Sequence, residues 1–288
     1  TPNRIYVIGA DGEGLTEVDA YQTLCYCGSQ VDISDDGGVV VSTEEVQLRI
    51  ADAGGARELV RLTSGELTAI RIAGNGETVF FLVRRDTQSA DGAALPRGVW
   101  AIGADGGNLR QVVDAEDVAE VVGVPIEETG CCFHADGHPL DVSSDGGEIV
   151  FGGFAKGEYV FAVDAAGGEP RVLVGPSTWV RRVAISGDGA TVGFDVSLPD
   201  RSGDDNQIGV VPFAGGEANF LTTNTNSGFA EPLQLTDSGS HLLISPHSLL
   251  IDTETGATRQ LGVAPPNFGG NHDSVLTDGL PRGTMNAD

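Results

Sequence analysis

The sequence predicts an all-β chain built as a ring of six four-stranded antiparallel units, and three observations carry that prediction. First, an apolar strand runs into a glycine turn and leaves as a second apolar strand six times. The clearest copy is Val99-Trp100-Ala101-Ile102-Gly103-Ala104-Asp105-Gly106-Gly107-Asn108-Leu109-Arg110-Gln111-Val112, and residues 6–18 nearly repeat it. Looser copies span 48–60, 160–173, 210–221 and 250–261. Second, another strand-turn-strand phrase lies between these copies, at 31–41, 69–81, 140–151, 183–194 and 233–244. Third, the turns are Asp-Gly, Asn-Gly and Gly-Gly pairs, which supply the positive φ angles that tight hairpins demand. Two hairpins make one four-stranded unit, and such a unit repeated about an axis is the blade of a β-propeller.

The first-hairpin glycines Gly37, Gly76, Gly146, Gly189 and Gly239 are unevenly spaced, so the excess length lies in loops. A chain of 288 residues with 40% apolar residues suffices for one domain, read as 1–288. Residues 281–288 align with the innermost strand of the other units, whereas residues 4–18 supply only two outer strands. Joined in space, the two ends make the sixth blade and remove an exposed sheet edge. Its second strand is missing from both ends, which predicts a three-stranded closing blade or a chain cut short of its natural end. Thr1 is preceded by neither Met nor a secretion signal, which reads as a processed or trimmed chain.

The phrase Gly-Ala-Asp-Gly-Gly-Asn-Leu-Arg (103–110), followed by Val-Ser-Ser-Asp-Gly-Gly-Glu-Ile-Val-Phe (142–151), resembles the repeat of the TolB-like β-propellers, relatives of the WD-type repeats. The resemblance covers essentially the whole chain, five units fully and a sixth in part. It implies a non-catalytic scaffold that binds a protein or peptide, working in the periplasm, the wider cell envelope or outside the cell. Fold alone does not fix function, so this remains an expectation.

Composition narrows the partners. The formal charge is −26, and of 16 basic residues only Lys156 is a lysine. Nucleic acid and anionic membrane are excluded as partners, because both bind through clustered cations. The apolar runs have strand length, well short of the ~20 residues of a membrane helix, so the chain is not membrane-spanning. The acidity fits solubility or a saline habitat, with attraction of cationic ligands as the sharper alternative. A monomer is expected.

One face of the disc holds the irregular sequence. With strands a to d in each blade, the a–b and c–d turns lie on one face and the b–c loops and d–a crossings on the other. The long insertions, 84–97, 114–137 and 197–207, all fall on the second face, which nominates Arg84, Arg85, Arg97, Asp200 and Arg201 as candidate binding residues. Within the second insertion, Val118, Val121 and Val122 share a helical face, Asp114 is placed as N-cap and Pro125 follows the stop. A short helix leaning on the disc is expected there, as a packed lid or as a ligand gate. Asp200, Asp204, Asp205 and Asn206 lack EF-hand spacing, and a solvated loop is expected.

All four cysteines fall on the same face, as Cys25 and Cys27 in one crossing and Cys131 and Cys132 in another. Disulfides between the pairs, free thiols and a metal site stay open. Cys131, Cys132, His134 and His138, with Asp136, are the densest cluster of possible ligands, but the spacing is not that of a zinc site. No metal or other cofactor is expected.

Following one inner-strand position around the ring gives Asp32, Arg71, Asp141, Ala184, Gln234 and Thr284. The polar five are placed on the central channel, where they either bind a small polar ligand or cation or simply neutralise one another. Catalytic motifs are absent: there is no Gly-x-Ser-x-Gly elbow and no phosphate loop. The alternatives are a hydrolase or lyase with carboxylates at the channel mouth, or the propeller domain of a longer, peptidase-like chain.

Overall fold

The computed structural model describes residues 3–7, 15–21, 30–44, 46–65, 67–126, 129–131, 139–197, 206–224, 233–244 and 249–260. Strands β1 (Asn3–Val7) and β2 (Thr16–Tyr21) form a two-stranded antiparallel sheet. The first complete blade is β3 (Val31–Ile33), β4 (Val40–Glu44), β5 (Gln47–Asp52) and β6 (Gly55–Arg61). In the second, β7 (Leu67–Ile72) and β8 (Thr78–Val83) precede a small hairpin, β9 (Thr87–Gln88) and β10 (Ala94–Leu95). β11 (Gly98–Gly103) and β12 (Arg110–Asp114) complete that blade, and helix α1 (Ala115–Val122) follows.

The third blade opens with an additional strand, β13 (Thr129–Cys131), before β14 (Leu140–Val142), β15 (Glu148–Ala155), β16 (Glu158–Asp164) and β17 (Arg171–Ser177). Both β13 and β14 pair with β15, which has eight residues and room for two partners end to end. The fourth blade is β18 (Trp179–Ile185), β19 (Thr191–Ser197), β20 (Asn206–Pro212) and β21 (Asn219–Asn224). The fifth is β22 (Leu233–Leu235), β23 (His241–Ile244), β24 (Leu249–Asp252) and β25 (Thr258–Gln260). Every described pairing is antiparallel, and within each of the five blades the strands pair in the order a-b-c-d, as the paired hairpins predict.

The core lies between blades. In β8 the run Thr-Val-Phe-Phe-Leu-Val is buried on both faces: Val79, Phe81 and Val83 pack toward the first blade, Phe80 and Leu82 toward the third. A strand with two dry faces reads as a continuous apolar run rather than an alternation, as this one does. Similar clusters fill the third–fourth and fourth–fifth seams. Removing apolar area from water at ~25 cal/mol per Å² is what holds such seams together.

Polar groups set how the blades align. Three of the five described a–b turns, those of the first, third and fourth blades, are serine–aspartate knots. Ser34 donates to Asp36 at 2.7 Å, Gly38 N donates back to Asp36 at 2.8 Å, and Val39 N donates to Ser34 Oγ at 3.0 Å. Ser143 with Asp145 and Ser186 with Asp188 repeat the arrangement. All five a–b turns, knotted or not, are then joined from blade to blade by backbone bonds. Asp35 N donates to Gly74 O (2.9 Å), Asn75 N to Ser144 O (3.1 Å), Ser144 N to Gly187 O (3.0 Å) and Asp188 N to Asp237 O (2.9 Å). This belt crosses all four seams between the five complete blades. It also explains Gly74: a Cβ there would overlap the Asp35 carboxylate.

A second, outer set of clamps joins the d strands of the first, third and fourth blades to the next blade's c–d turn. Arg57 Nη2 donates to Ala104 O at 2.6 Å, Arg171 Nη2 to Phe213 O at 3.4 Å and Asn219 Nδ2 to Thr253 O at 3.2 Å. Arg171 also lies over the Phe213 ring, 4.8 Å from its centroid.

The knots carry a pH signature. The Gly38 amide and then the Ser34 hydroxyl hold the Asp36 carboxyl below its ordinary 3.8, and the Gly147 amide and Ser143 hydroxyl do the same for Asp145. Depressed native values mean that these contributions are complete above pH 3.8 and fade as pH falls through the folded-state values. The double variant Ser34→Ala/Ser143→Ala should be less stable than the parent at neutral pH, and the gap should narrow as pH falls below 3.8 and the parent's two carboxyls take up protons. A stability gap that stays constant across the acid range would contradict the assignment.

Candidate functional site

Two regions compete as the site: the inner-strand polar positions along the axis and the long-loop face. On the inner strands, Asp32 of β3 uses Oδ2 to accept the Ile72 amide of the second blade at 2.8 Å. Gln30, one strand position earlier on the same side, accepts the Ile70 amide at 3.0 Å. Asp141 of β14 accepts the Ile185 amide of the fourth blade at 2.9 Å, and its other oxygen takes Arg71 Nε at 3.2 Å. Arg71 also donates to Ile70 O at 2.8 Å.

The side chains of Arg71 and Asp141 are 15% and 8% exposed, so this ion pair is largely withdrawn from solvent. Asp32, Arg71 and Asp141 are thus brought together as fasteners between adjacent inner strands. Gln234 sits at the equivalent place on β22 and Ala184 on β18, while Thr284 lies outside the described residues.

The long-loop face is built differently. The 84–97 insertion is not an irregular loop: its β9–β10 hairpin reaches across to the first blade. Thr63 N donates to Gln88 O at 2.8 Å and Ala90 N to Arg61 O at 2.7 Å, while Leu62 bridges Ser89. Its own Leu95 is fully buried. The hairpin tip reuses the serine–aspartate knot: Ser89 donates to Asp91, and Ala93 N to Ser89 Oγ at 3.0 Å.

Of the three nominated arginines here, Arg97 is anchored. Its amide donates to Asp86 at 2.9 Å and its Nη2 to Ile126 O at 3.1 Å. Arg84 is half-buried and Arg85 exposed. Asp200 and Arg201 lie outside the described residues.

Helix α1 follows the expected signals. Asp114 caps it, accepting the Asp117 amide at 2.9 Å, and Asp117 returns the bond to Asp114 N at 3.0 Å. Gly123 closes it with φ 74°. Val118 is buried, and Val121, Val122 and Val124 pack on the core between the second and third blades. The helix is therefore a packed cover over a seam, the first of the two expected roles. Ile126 and Phe154, 40% and 39% exposed, stand beside it on this face.

Sequence reasoning missed the buried polar residues under the same face. Arg182 of β18 donates Nε and Nη2 to Asp195 of β19, and the two side chains are 2% and 0% exposed. Ser197 donates to Asn206 at 2.6 Å, both buried. Glu158 accepts the Val180 amide across the third–fourth crossing, and Ser177 donates to Glu158 O at 2.8 Å. A readable signal existed: Arg182 and Asp195 interrupt apolar strands, and a charge inside such a run needs a buried partner.

Cys131 ends β13 with its backbone opposite Gly153. Cys25, Cys27, Cys132, His134 and His138 lie outside the described residues. Among the described residues no group of three His, Cys, Asp or Glu side chains forms a possible metal site. The carboxyls held below their ordinary range are those of hairpin turns: Asp52 by Arg57, Asp91 by Ser89 and Asp252 by the Thr255 amide, besides the two knots already described. No described helix is long and apolar enough to cross a membrane.

No protein-family model and no curated protein matches the sequence. Solved structures do match the fold. A putative TolB from Agrobacterium tumefaciens superposes with a TM-score of 0.57 at 15% identity, covering 90% of this chain and 88% of that one. TolB from Acinetobacter baumannii gives 0.54 at 12%, covering 88% of this chain and 58% of that one. A chain of a nidogen/laminin complex gives 0.51 at 13%, covering 85% and 82%. With blades of this order and these neighbours, the chain has the fold of a TolB-like β-propeller.

Proposed function

We propose that this chain is a non-catalytic β-propeller whose long-loop face binds a protein or peptide partner. The observation that carries the reading is the unequal use of the two faces. On the turn face the polar groups of the a–b turns are consumed in knots, belt and clamps, whereas the long-loop face adds α1, the β9–β10 hairpin and β13 to the blades and leaves Arg85, Ile126 and Phe154 exposed. Exposed apolar side chains and an exposed arginine on one face are ordinary makings of an interface.

In this reading the β1–β2 sheet, which packs against the first blade, is the outer half of a sixth blade closed by residues 281–288. The protein acts as a monomer in the periplasm or outside the cell, where its cysteines are free to pair. The nidogen/laminin neighbour is a propeller found in a complex of two proteins, which supports a partner of that kind.

Partner capture from the source organism's envelope fraction, with photo-crosslinkers at Arg85 or Phe154 and controls at Glu77 or Asp36, tests the face. Capture should occur from the first pair, and Ile126→Asp/Phe154→Asp should weaken it about tenfold or more, as truncation of interface anchors does. Asp32→Asn/Asp141→Asn should leave it unchanged. Capture through the turn-face positions, or loss with the inner-strand double variant alone, would overturn the assignment.

A further inference from the structure

The chain has a single Asn-Gly pair, Asn75-Gly76, and it lies at a belt position on the seam between the second and third blades. Asn-Gly is the sequence in which a backbone amide most easily attacks the preceding side chain, because glycine leaves the nucleophile unhindered and asparagine is intrinsically labile. Asn75 is exposed to solvent. The turn nevertheless holds both reacting groups. Asn75 Oδ1 accepts Glu77 N at 2.9 Å, Nδ2 donates to Asp145 O at 3.2 Å, and the would-be nucleophile Gly76 N donates to Ala73 O at 2.8 Å.

The neighbouring turns show what the amide adds. At the matching positions Asp36, Asp145 and Asp188 each accept the amide two residues on, at 2.8, 2.9 and 3.0 Å. An aspartate at 75 would therefore keep the bond within its own turn. It would lose the donor to Asp145 O and set a carboxylate against that carbonyl. An isoaspartate would add a backbone atom between Asn75 N, which donates to Ser144 O, and Gly76 N, which donates to Ala73 O.

We infer that Asn75 is a deamidation site gated by the seam: it is protected while the second- and third-blade turns are joined and reacts when they part. In the step, Gly76 N bonds to Asn75 Cγ and gives up its proton to solvent. The Cγ–Nδ2 bond breaks, and ammonia departs after taking a proton from water. Water then opens the succinimide at either carbonyl, yielding aspartate or isoaspartate with net gain of water and loss of ammonia.

Peptide mapping by mass spectrometry after incubation at mildly alkaline pH, folded against urea-denatured full chain, reads the gate. Conversion at Asn75 should be slower in the folded chain by about tenfold or more, the least that a local opening equilibrium imposes. Ser143→Ala, which unties the third-blade knot, should speed conversion in the folded chain while its circular dichroism is unchanged. Equal rates in folded and denatured chains, or no conversion at Asn75 in the denatured chain, would overturn the inference.

Discussion

The arrangement of the blades depends on one repeated interaction: the backbone amide at the tip of each inner hairpin donates to the carbonyl of the next blade's tip. Apolar seams are indifferent to small slips, since area buried against a neighbouring sheet changes little with register. A hydrogen bond between two turns is not, because its strength falls steeply with distance and angle. Asp35 to Gly74, Asn75 to Ser144, Ser144 to Gly187 and Asp188 to Asp237 therefore fix the height of each blade relative to the next. The serine–aspartate knots keep three of the four donor amides aimed, and the outer clamps of Arg57, Arg171 and Asn219 repeat the constraint at three of the four seams.

This constraint decides which face can take additions to the blades. Turns occupied with holding adjacent blades together cannot vary freely in length or sequence. Among the described residues the other face shows no such repeated belt, and there the chain adds a capped helix, a hairpin and an extra strand to the blades. Even there, additions are anchored before anything is displayed. The β9–β10 hairpin is paired to the first blade, and Arg97 ties the segment after α1 to the second. The inner-strand carboxylates belong to the same logic as the belt, since Asp32 and Asp141 accept amides from neighbouring blades.

The blade order was legible because its cause is local. Tight hairpins need positive φ, so glycines mark them, and strands with two buried faces read as apolar runs such as 78–83. Helix α1 was legible for the same reason, its cap, apolar face and stop being contiguous. What stayed hidden is made by contacts between distant segments. Asp141 appears in the sequence as a channel carboxylate, and only the next blade's Ile185 amide turns it into a fastener. Glu158, Arg182 and Asp195 likewise acquire their roles from partners in other strands or across a crossing. The insertion at 84–97 lacks a strong strand pattern, and its pairing to Arg61–Thr63 comes from the fold rather than from its own residues.

Residue-resolved amide hydrogen exchange tests the belt most directly. The amides of Asp35, Asn75, Ser144 and Asp188 sit in exposed or half-buried turns, where exchange near the rate of an open chain would otherwise be expected. If the belt fixes the ring, these four should be protected nearly as well as the inner-strand amides of Ile72 and Ile185. Exchange of all four at open-turn rates, with the strand amides still protected, would show that the apolar seams align the blades without them.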